Sequence, residues 1–267
     1  MCRLLGIVAS EPTDFKIVLR ESSRSMAALS REHRDGWGIA VFGDDARGWS
    51  VERGIACASE DARFHELAVG SRGELLIAHI RRKTVGATSL ANTHPFERRR
   101  WLFAHNGTVE DTAWLTKHSS RERLAEVRGE TDSELLFAWL LTRLDVDGVA
   151  DQQASDATDR ALGEAVRAAR EHEGFGAFNF LLSDGRTTYA HRFGRTMYLL
   201  DRSPRDEVRV RRTSHDGTIL ETPWSPQRRA VFIASERMTD EPWQHVEEGT
   251  LLRIDRAPAP HWRLVAA

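Results

Sequence analysis

The chain has 267 residues, of which 40% are hydrophobic and 29% charged, so it is long enough to bury a substantial core without disulfides. Its formal net charge of -2 excludes a general attraction to nucleic acid or anionic membranes, and no apolar run is as long as a transmembrane helix. The two cysteines are too few for a disulfide framework, and the N-terminus lacks the features of a secretion signal. We therefore expect a cytoplasmic protein with small soluble partners.

Short apolar runs, typical of buried strands, recur from one end of the chain to the other. They occupy residues 4–9, 37–42, 75–80, 101–104, 177–182, 188–192, 197–200, 230–234 and 250–254. We predict a strand in each run, so sheet is expected to dominate both ends of the chain.

Helical periodicity is clearest at residues 133–144, where leucines and a tryptophan recur at three- and four-residue spacing after a Thr-Asp pair suited to a helix start. Residues 158–171 form a second helix candidate with a weaker, alanine-rich face, and residues 14–30 form a third. The aspartate-rich residues 145–156 are interpreted as a surface loop between helices. Strands on both sides of a central helical section predict one layered α+β domain over residues 1–267, with helices covering two packed sheets.

Cys2 follows the initiator methionine. An N-terminal cysteine can be accidental, but removal of Met1 would give Cys2 a free α-amine within reach of its own sulfur. Such an amine titrates near pH ~8, close to the working range of a general base, so nucleophile and base would belong to one residue. The other cysteine, Cys57, lies between alanines and is interpreted as a small packed residue.

The tripeptide His105-Asn106-Gly107 directly follows the apolar run at 101–104 and therefore stands at a predicted strand end. One interpretation is a common Asn-Gly turn. The other is an oxyanion hole, because an Asn amide and a Gly backbone N–H can both donate to one developing alkoxide oxygen.

Two charged stretches also have both a structural and a functional interpretation. The cations Arg81, Arg82 and Lys83 follow the predicted strand at 75–80. They form either a solvated loop or a clamp in which one arginine fork binds the α-carboxylate of an amino acid. Asp132 precedes the predicted helix, where it either caps the helix or binds the substrate's α-ammonium group.

No metal or cofactor site is predicted. The chain contains neither Cys-x-x-Cys nor His-Glu-x-x-His, and it has no glycine-rich phosphate loop that would indicate ATP use. The run Arg98-Arg99-Arg100 is interpreted as a solvated loop, with contact to an anionic substrate or partner as the alternative.

Five motifs, taken in order, resemble those of class II glutamine amidotransferases. They are Met-Cys-x-x-Leu-Gly at the start, His-x-Arg-x-x-Thr-x-Gly at 79–86, Asn-Thr-His-Pro-Phe at 92–96, His-Asn-Gly at 105–107 and Thr-Asp-Ser-Glu at 131–134. The resemblance continues through 176–185, 233–236 and 247–250, so it covers nearly the whole chain. It implies the N-terminal-nucleophile hydrolase fold, a four-layer αββα sandwich in which helices cover two antiparallel sheets.

The resemblance also implies a catalytic role for three residues of this chain. Cys2 would be the nucleophile, and Asn106 and Gly107 would donate to the oxyanion. The implied reaction cleaves the γ-amide of glutamine or of a γ-glutamyl compound through a thioester on the N-terminal cysteine. The chain would then be either a free-standing hydrolase or the ammonia-producing partner of a separate synthase subunit.

Four further residues match substrate-binding positions of the resembled family. Arg81 would bind the α-carboxylate and Asp132 the α-ammonium group, while Thr84 and His94 would support the glutamine pocket. Arg81 is preferred to its neighbour Arg82 because it stands three residues before the motif threonine.

One stretch departs from the pattern of the synthase-fused members. Residues 32–38 read Glu-His-Arg-Asp-Gly-Trp-Gly in place of Arg-Gly-x-Asp, which resembles a short stand-alone subgroup and leaves the bracing of the oxyanion loop open. The alternative class of function is a non-catalytic sensor of a glutamine-like ligand, or a partner-binding subunit, and the intact site positions favour the enzyme. The sequence contains no signal for an oligomeric state.

Overall fold

A computed structural model describes residues 2–43, 47–202, 212–213, 219–220 and 228–267. Its strands are β1 (Arg3–Asp14), β2 (Trp37–Phe42), β3 (Trp49–Gly54), β4 (Arg72–Ile80), β5 (Phe96–Arg98), β6 (Trp101–Val109), β7 (Gly176–Ser183), β8 (Thr187–His191), β9 (Tyr198–Arg202), β10 (Arg212–Thr213), β11 (Ile219–Leu220), β12 (Ala230–Ala234), β13 (Gln244–His245), β14 (Leu251–Asp255) and β15 (His261–Val265). Its α-helices are α1 (Met26–Ser30), α2 (Ala62–Gly70), α3 (Thr112–Lys117), α4 (Arg121–Ala125), α5 (Asp132–Val146) and α6 (Asp156–Glu171). None of the helices in these ranges combines the length and apolar character needed to cross a bilayer.

Two antiparallel sheets organise the described residues. The first has seven strands in the order β13-β9-β12-β1-β4-β2-β3, and the second has six in the order β15-β14-β8-β7-β6-β5. The short strands β10 and β11 pair with each other. β1, which begins one residue after Cys2, therefore lies at the centre of its sheet and is hydrogen-bonded to β12 on one side and β4 on the other.

The side chains of β1 show how one strand contributes to two cores. Leu4 and Val8 belong to the core between the sheets, together with Leu181 of β7. Leu5 belongs to the core on the opposite face of the first sheet. This division follows from the pleat of a strand, because successive side chains point to opposite faces.

Helices cover the outer face of each sheet. α1 and α2 contribute Met26 and Phe64 to the outer core of the first sheet. α5 and α6 contribute residues such as Leu140 and Leu162 to the outer core of the second sheet. Truncating one such buried leucine to alanine costs about 2–5 kcal/mol, so these outer cores hold the layers firmly together. The αββα sandwich predicted from the resemblance is confirmed.

The predicted strands each overlap a strand of the structure, and α5 and α6 confirm the two helices predicted in the centre of the chain. The loop predicted at 145–156 is confirmed, because α5 ends at Val146 and α6 begins at Asp156. The helix predicted at 14–30 is wrong. β1 continues to Asp14, a π-helical turn covers Ile17–Glu21, and α1 begins only after Ser25, whose hydroxyl accepts from Ala28 N. Serines favour such caps over helix interiors, which explains the interruption.

Candidate active site

The start of β1 is anchored by the segment that follows β12. The backbone N–H of Leu4 donates to Oγ of Ser235 over 3.1 Å, and Ser235 N donates back to the Leu4 carbonyl. Beside them, Arg3 forms an ion pair with Glu236 over 2.6 Å. Met1 lies outside the described residues, so the site is described from Cys2 onward.

The thiol of Cys2 lies against the backbone of Arg82, the residue that follows Arg81. Its Sγ is 3.4 Å from the Arg82 N–H, which donates to it, and 3.4 Å from the Arg82 carbonyl oxygen, which accepts from the thiol. Burial raises the pKa of the Cys2 thiol, and the hydrogen bond from Arg82 and the charge of Arg81 only partly offset that effect. The resting thiol is therefore protonated at neutral pH, and attack on a carbonyl requires a base to remove its proton.

Arg81 is buried, with 3% of its surface exposed, at the start of the loop that follows β4. Its Nη1 donates to the Ala87 carbonyl over 3.1 Å and its Nη2 to the Val85 carbonyl over 3.0 Å. These bonds fold the loop around the guanidinium group. A guanidinium carries about five N–H donors, so donors remain for a carboxylate of a ligand.

Asn106 and Gly107 lie on β6, directly opposite Asn179 and Phe178 of β7. Asn106 is buried, and within the described residues its carboxamide makes no hydrogen bond to protein. A Cβ added to Gly107 would lie 2.0 Å from the Ala177 carbonyl oxygen, so the close approach of the two strands requires glycine there. The Asn-Gly pair belongs to a strand rather than to a turn, which removes the turn interpretation.

Asp132 is the first residue of α5, but the cap of this helix is Thr131, whose Oγ1 accepts from Glu134 N over 3.3 Å. The Asp132 carboxylate instead accepts the backbone N–H of Val109 over 2.7 Å. This bond ties the start of α5 to the end of β6, two residues beyond Gly107. The charge of Asp132 also acts to raise the pKa of Cys2, so the two side chains are electrostatic neighbours.

Thr84 and His94, the two supporting positions, differ in their surroundings. Thr84 is exposed on the loop that follows Arg81. His94 is buried, with its ring centroid 4.4 Å from that of His79 and 4.5 Å from that of Phe96. Neither ring nitrogen of His94 has a hydrogen-bond partner among the described residues. Among the described residues, His94 therefore makes packing contacts rather than hydrogen bonds.

The stretch that departs from the family pattern braces the loop after β4. Asp35 N donates to the Arg81 carbonyl over 3.2 Å, and Asp35 Oδ2 accepts from Lys83 N over 2.8 Å. Gly36, at φ +134°, accepts from Arg81 N over 2.8 Å. Sequence reasoning did not assign Asp35 or Gly36 to the site, although both lie in the stretch that it singled out.

Cys57 is buried, which confirms its interpretation as a small packed residue, although its surroundings are not purely apolar. Its Sγ lies 3.4 Å from Ser30 Oγ and 3.2 Å from Ser59 Oγ. Burial acts to raise the pKa of the Cys57 thiol, but the hydrogen bonds from the two serines outweigh it and lower the pKa overall.

The interpretation of residues 98–100 as a solvated loop holds for Arg99, which is exposed in a turn, but not for Arg98, which lies on β5 and is half-buried. Arg98 pairs with the buried carboxylate of Glu134 on α5. Arg99, at φ +53°, binds both carboxylate oxygens of Asp151, each over 2.8 Å. These cations fasten the β5–β6 turn to α5 and to the loop that follows it.

Within the described residues, no three histidine, cysteine or carboxylate side chains are grouped closely enough to hold one metal ion.

Four buried histidines are neutral, and the rings of three of them, His79, His94 and His105, lie close together. Burial lowers the pKa of His79 and of His191 to about 3, and it also lowers those of His94 and His105. Nε2 of His79 donates to the His105 carbonyl over 3.2 Å, and Nδ1 of His105 accepts from the hydroxyl of Ser133 over 2.8 Å. His79, two residues before Arg81, is thus linked through His105, which precedes Asn106, to Ser133, which follows Asp132.

We expect the free energy of unfolding to fall as the pH drops from about 6.5 to about 5. Histidines of the unfolded chain take up protons near pH ~6.5, whereas His79 and His191 resist protonation until about pH 3, so the unfolded state binds more protons in this window. Each such histidine contributes up to about 1.4 kcal/mol per pH unit to the slope of the free energy of unfolding against pH. Urea unfolding at a series of pH values measures the slope. His191→Asn, which keeps a donor for the Thr250 carbonyl, should reduce it, and an unchanged slope would contradict the assignment.

Comparisons with known proteins agree with this geometry. Residues 1–261 match the family model described as class II glutamine amidotransferases. YafJ of Escherichia coli strain K12, a glutamine amidotransferase by its name, is 30% identical over 93% of this chain and 95% of its own length. A Mycobacterium tuberculosis strain H37Rv protein, named gamma-glutamyl-hercynylcysteine sulfoxide hydrolase, is 28% identical over 97% of this chain and 100% of its own.

A solved structure gives the same result. A Pseudomonas aeruginosa PA01 protein, titled as a glutamine amidotransferase, aligns over 99% of both chains with a TM-score of 0.65 and 26% identity. The chain therefore belongs to the class II glutamine amidotransferases, and the resemblance found in its motifs is confirmed.

Proposed function

We propose that this chain hydrolyses the side-chain amide of glutamine or of a γ-glutamyl compound, with Cys2 as the nucleophile and residues 1–267 acting as one glutaminase domain. The observation that carries the proposal is the contact of the Cys2 thiol with the backbone of Arg82. It brings a nucleophile to within one residue of a buried arginine suited to a carboxylate.

In the proposed first half-reaction, the α-amine of Cys2 removes the thiol proton, and Sγ attacks the δ-carbonyl carbon. The carbonyl oxygen becomes an alkoxide that the Asn106 amide and the Gly107 N–H stabilise, a contribution of a few kcal/mol for each donor. The C–N bond then breaks, and the leaving nitrogen takes the proton from the α-ammonium group. Ammonia or an amine departs, and a γ-glutamyl thioester remains on the cysteine.

The second half-reaction returns the enzyme to its starting state. The α-amine takes a proton from water, the resulting hydroxide adds to the thioester carbonyl, and the C–S bond breaks. The thiolate recovers a proton, and glutamate leaves. The same amine serves both halves, which is why Met1 must be absent: a peptide nitrogen has no basicity at neutral pH.

Substrate recognition is proposed to use the two charges on the α-carbon. Arg81 binds the α-carboxylate through donors that its bonds to Val85 and Ala87 leave available, and Asp132 binds the α-ammonium group. Thr84 and His94 support the pocket, from the exposed loop and from the interior respectively.

A free-standing hydrolase of γ-glutamyl compounds is favoured over an ammonia-supplying subunit. The supporting observation is the full-length match to a relative named for hydrolysis of a γ-glutamyl conjugate, since that match needs no additional synthase segment. Supply of ammonia to a separate synthase subunit is the second possibility within the same chemistry.

The deciding experiment measures free glutamate after incubation of the purified protein with glutamine and with a panel of γ-glutamyl amides. We expect glutamate from the panel and an intact mass that corresponds to loss of Met1. Higher kcat/KM for a γ-glutamyl amide than for glutamine would support the hydrolase. Saturable glutamine binding without glutamate release would indicate a sensor, and full activity with Met1 retained would exclude the N-terminal amine as the base.

A further inference from the structure

Two side chains outside the proposed chemistry join the loop after Arg81 to the segment before α5. Asn92 is 1% exposed, and its Oδ1 accepts from Glu130 N over 2.7 Å. Its Nδ2 donates to the Ala87 carbonyl over 3.0 Å and to Glu130 Oε2 over 3.3 Å. Glu130 Oε2 also accepts from Ala87 N over 3.0 Å. Asn92 and Glu130 are here named the clasp.

Two glycines make room for the clasp. A Cβ on Gly86, at φ +72°, would lie 2.8 Å from Nδ2 of Asn92, and a Cβ on Gly129 would lie 2.3 Å from its Oδ1. The Asn92 amide is therefore enclosed between two chain segments at distances that only glycine permits. Such close packing fixes the position of both segments relative to each other.

Each segment held by the clasp leads directly to one proposed substrate contact. On one side, the Ala87 carbonyl that Asn92 binds also accepts from Nη1 of Arg81 over 3.1 Å. On the other side, Glu130 precedes Asp132 by two residues. This side is itself anchored to α5, because Gly129 N donates to the buried carboxylate of Glu134 over 2.6 Å.

We propose that Asn92 and Glu130 are positioning residues that set the spacing between the Arg81 guanidinium and the Asp132 carboxylate. The clasp thereby selects substrates that carry an α-carboxylate and an α-ammonium group on the same carbon. This inference rests on the proposed function. It follows from the chemistry of such substrates, whose two charges are a fixed distance apart and need partners at a matching separation.

The test compares Glu130→Ala with Glu130→Gln. The glutamine oxygen can still accept from Ala87 N and from the Asn92 amide, whereas alanine leaves both donors without their partner. For glutamine hydrolysis, we expect Glu130→Ala to raise KM about tenfold with kcat within about twofold of the parent, and Glu130→Gln to restore most of the loss. Glu173→Ala, which removes an exposed loop glutamate elsewhere, is the matched control and should behave as the parent.

A substrate without the α-carboxylate distinguishes a displaced Arg81 from a general loss of active-site structure in Glu130→Ala. 4-Aminobutanamide cannot use Arg81, so its kcat/KM should be the same in the parent and in Glu130→Ala. In an Arg81→Lys background, the additional effect of Glu130→Ala on glutamine should be smaller than in the parent, because both changes act on one interaction. Equal losses on both substrates, or additive effects in the double variant, would overturn the proposal.

Amide hydrogen exchange of the full chain provides a readout that does not depend on turnover. The N–H of Ala87, which Glu130 binds, should exchange faster in Glu130→Ala than in the parent, while strands far from the clasp remain unchanged. If the Ala87 N–H exchanged at the same rate in Glu130→Ala as in the parent, the positioning role of the clasp would be overturned, even if both proteins were active. A parent that exchanges as expected but releases no glutamate would instead refute the proposed function, and the specificity role with it.

Discussion

Cys2→Ser is expected to fold normally and to lose glutamine hydrolysis by about a thousandfold or more. A hydroxyl is far less acidic than a thiol, so the α-amine that suffices for Cys2 is too weak a base to activate serine equally well. Burial already raises the pKa of the Cys2 thiol, so in the proposed mechanism a base must remove its proton before attack. Steady-state glutamate release measures the loss, and thermal unfolding verifies the fold.

Cys57→Ser is the matched control for this variant. A serine at that position can keep polar contacts with Ser30 and Ser59, so we expect activity close to that of the parent. An electrophilic glutamine analogue should modify Cys2 alone, in a saturable manner that excess glutamine blocks. Cys57 has a lowered pKa but only 4% of its surface exposed, so access rather than thiolate content protects it. Peptide mapping that located the label on Cys57 would mean that the nucleophile has been assigned wrongly.

Asn106→Ala is expected to lower kcat for amide hydrolysis by about a hundredfold to a thousandfold, with little change in stability. Its carboxamide makes no hydrogen bond within the described residues, so the folded state loses little when the amide is removed. A developing alkoxide, in contrast, would lose one of its two donors.

Asn179→Ala provides the opposite case at the facing position of β7. The Asn179 side chain donates to the carbonyls of Arg195 and Thr196 and accepts from Phe193 N and Arg195 N, over 2.8 to 3.3 Å. We therefore expect this variant to lower the melting temperature clearly, and to retain activity per folded molecule better than Asn106→Ala. Equal losses of activity in the two variants would argue that Asn106 acts only through packing.

The sequence predicted the long strands and helices well because their apolar patterns are local. It missed β3, which carries charged residues on an exposed sheet edge and lacks an apolar run. It also missed α3 and α4, which are only six and five residues long. Both helices have capping residues that the sequence shows, since Asp111 and Ser120 accept hydrogen bonds from backbone N–H groups in the first turns. A capping residue without a periodic apolar face is, however, a weak signal for a helix.

The candidate site was likewise predictable from the sequence only in part. The positions of Cys2, Asn106 and Asp132 followed from short motifs, whereas the clasp did not, because Asn92 and Glu130 are 38 residues apart and act on backbone groups. A side chain that binds a backbone N–H or carbonyl leaves no complementary residue to find in the sequence. The ion pairs of residues 98–100 were missed for a related reason, since Glu134 and Asp151 are brought to them only by the packing of α5.

The anchoring of β1 also has a consequence for biosynthesis. The strand that begins beside Cys2, the proposed nucleophile, pairs with β12, and Leu4 is held by Ser235, a residue 231 positions later in the chain. A nascent chain on the ribosome therefore exposes its cysteine long before that strand can complete its pairing. Under the proposed mechanism, Met1 is removed from an unfolded N-terminus, because β1 completes its pairing only after translation has passed β12. In that order of events, processing of the first residue precedes folding, and the α-amine that the mechanism needs is present when the central strand closes.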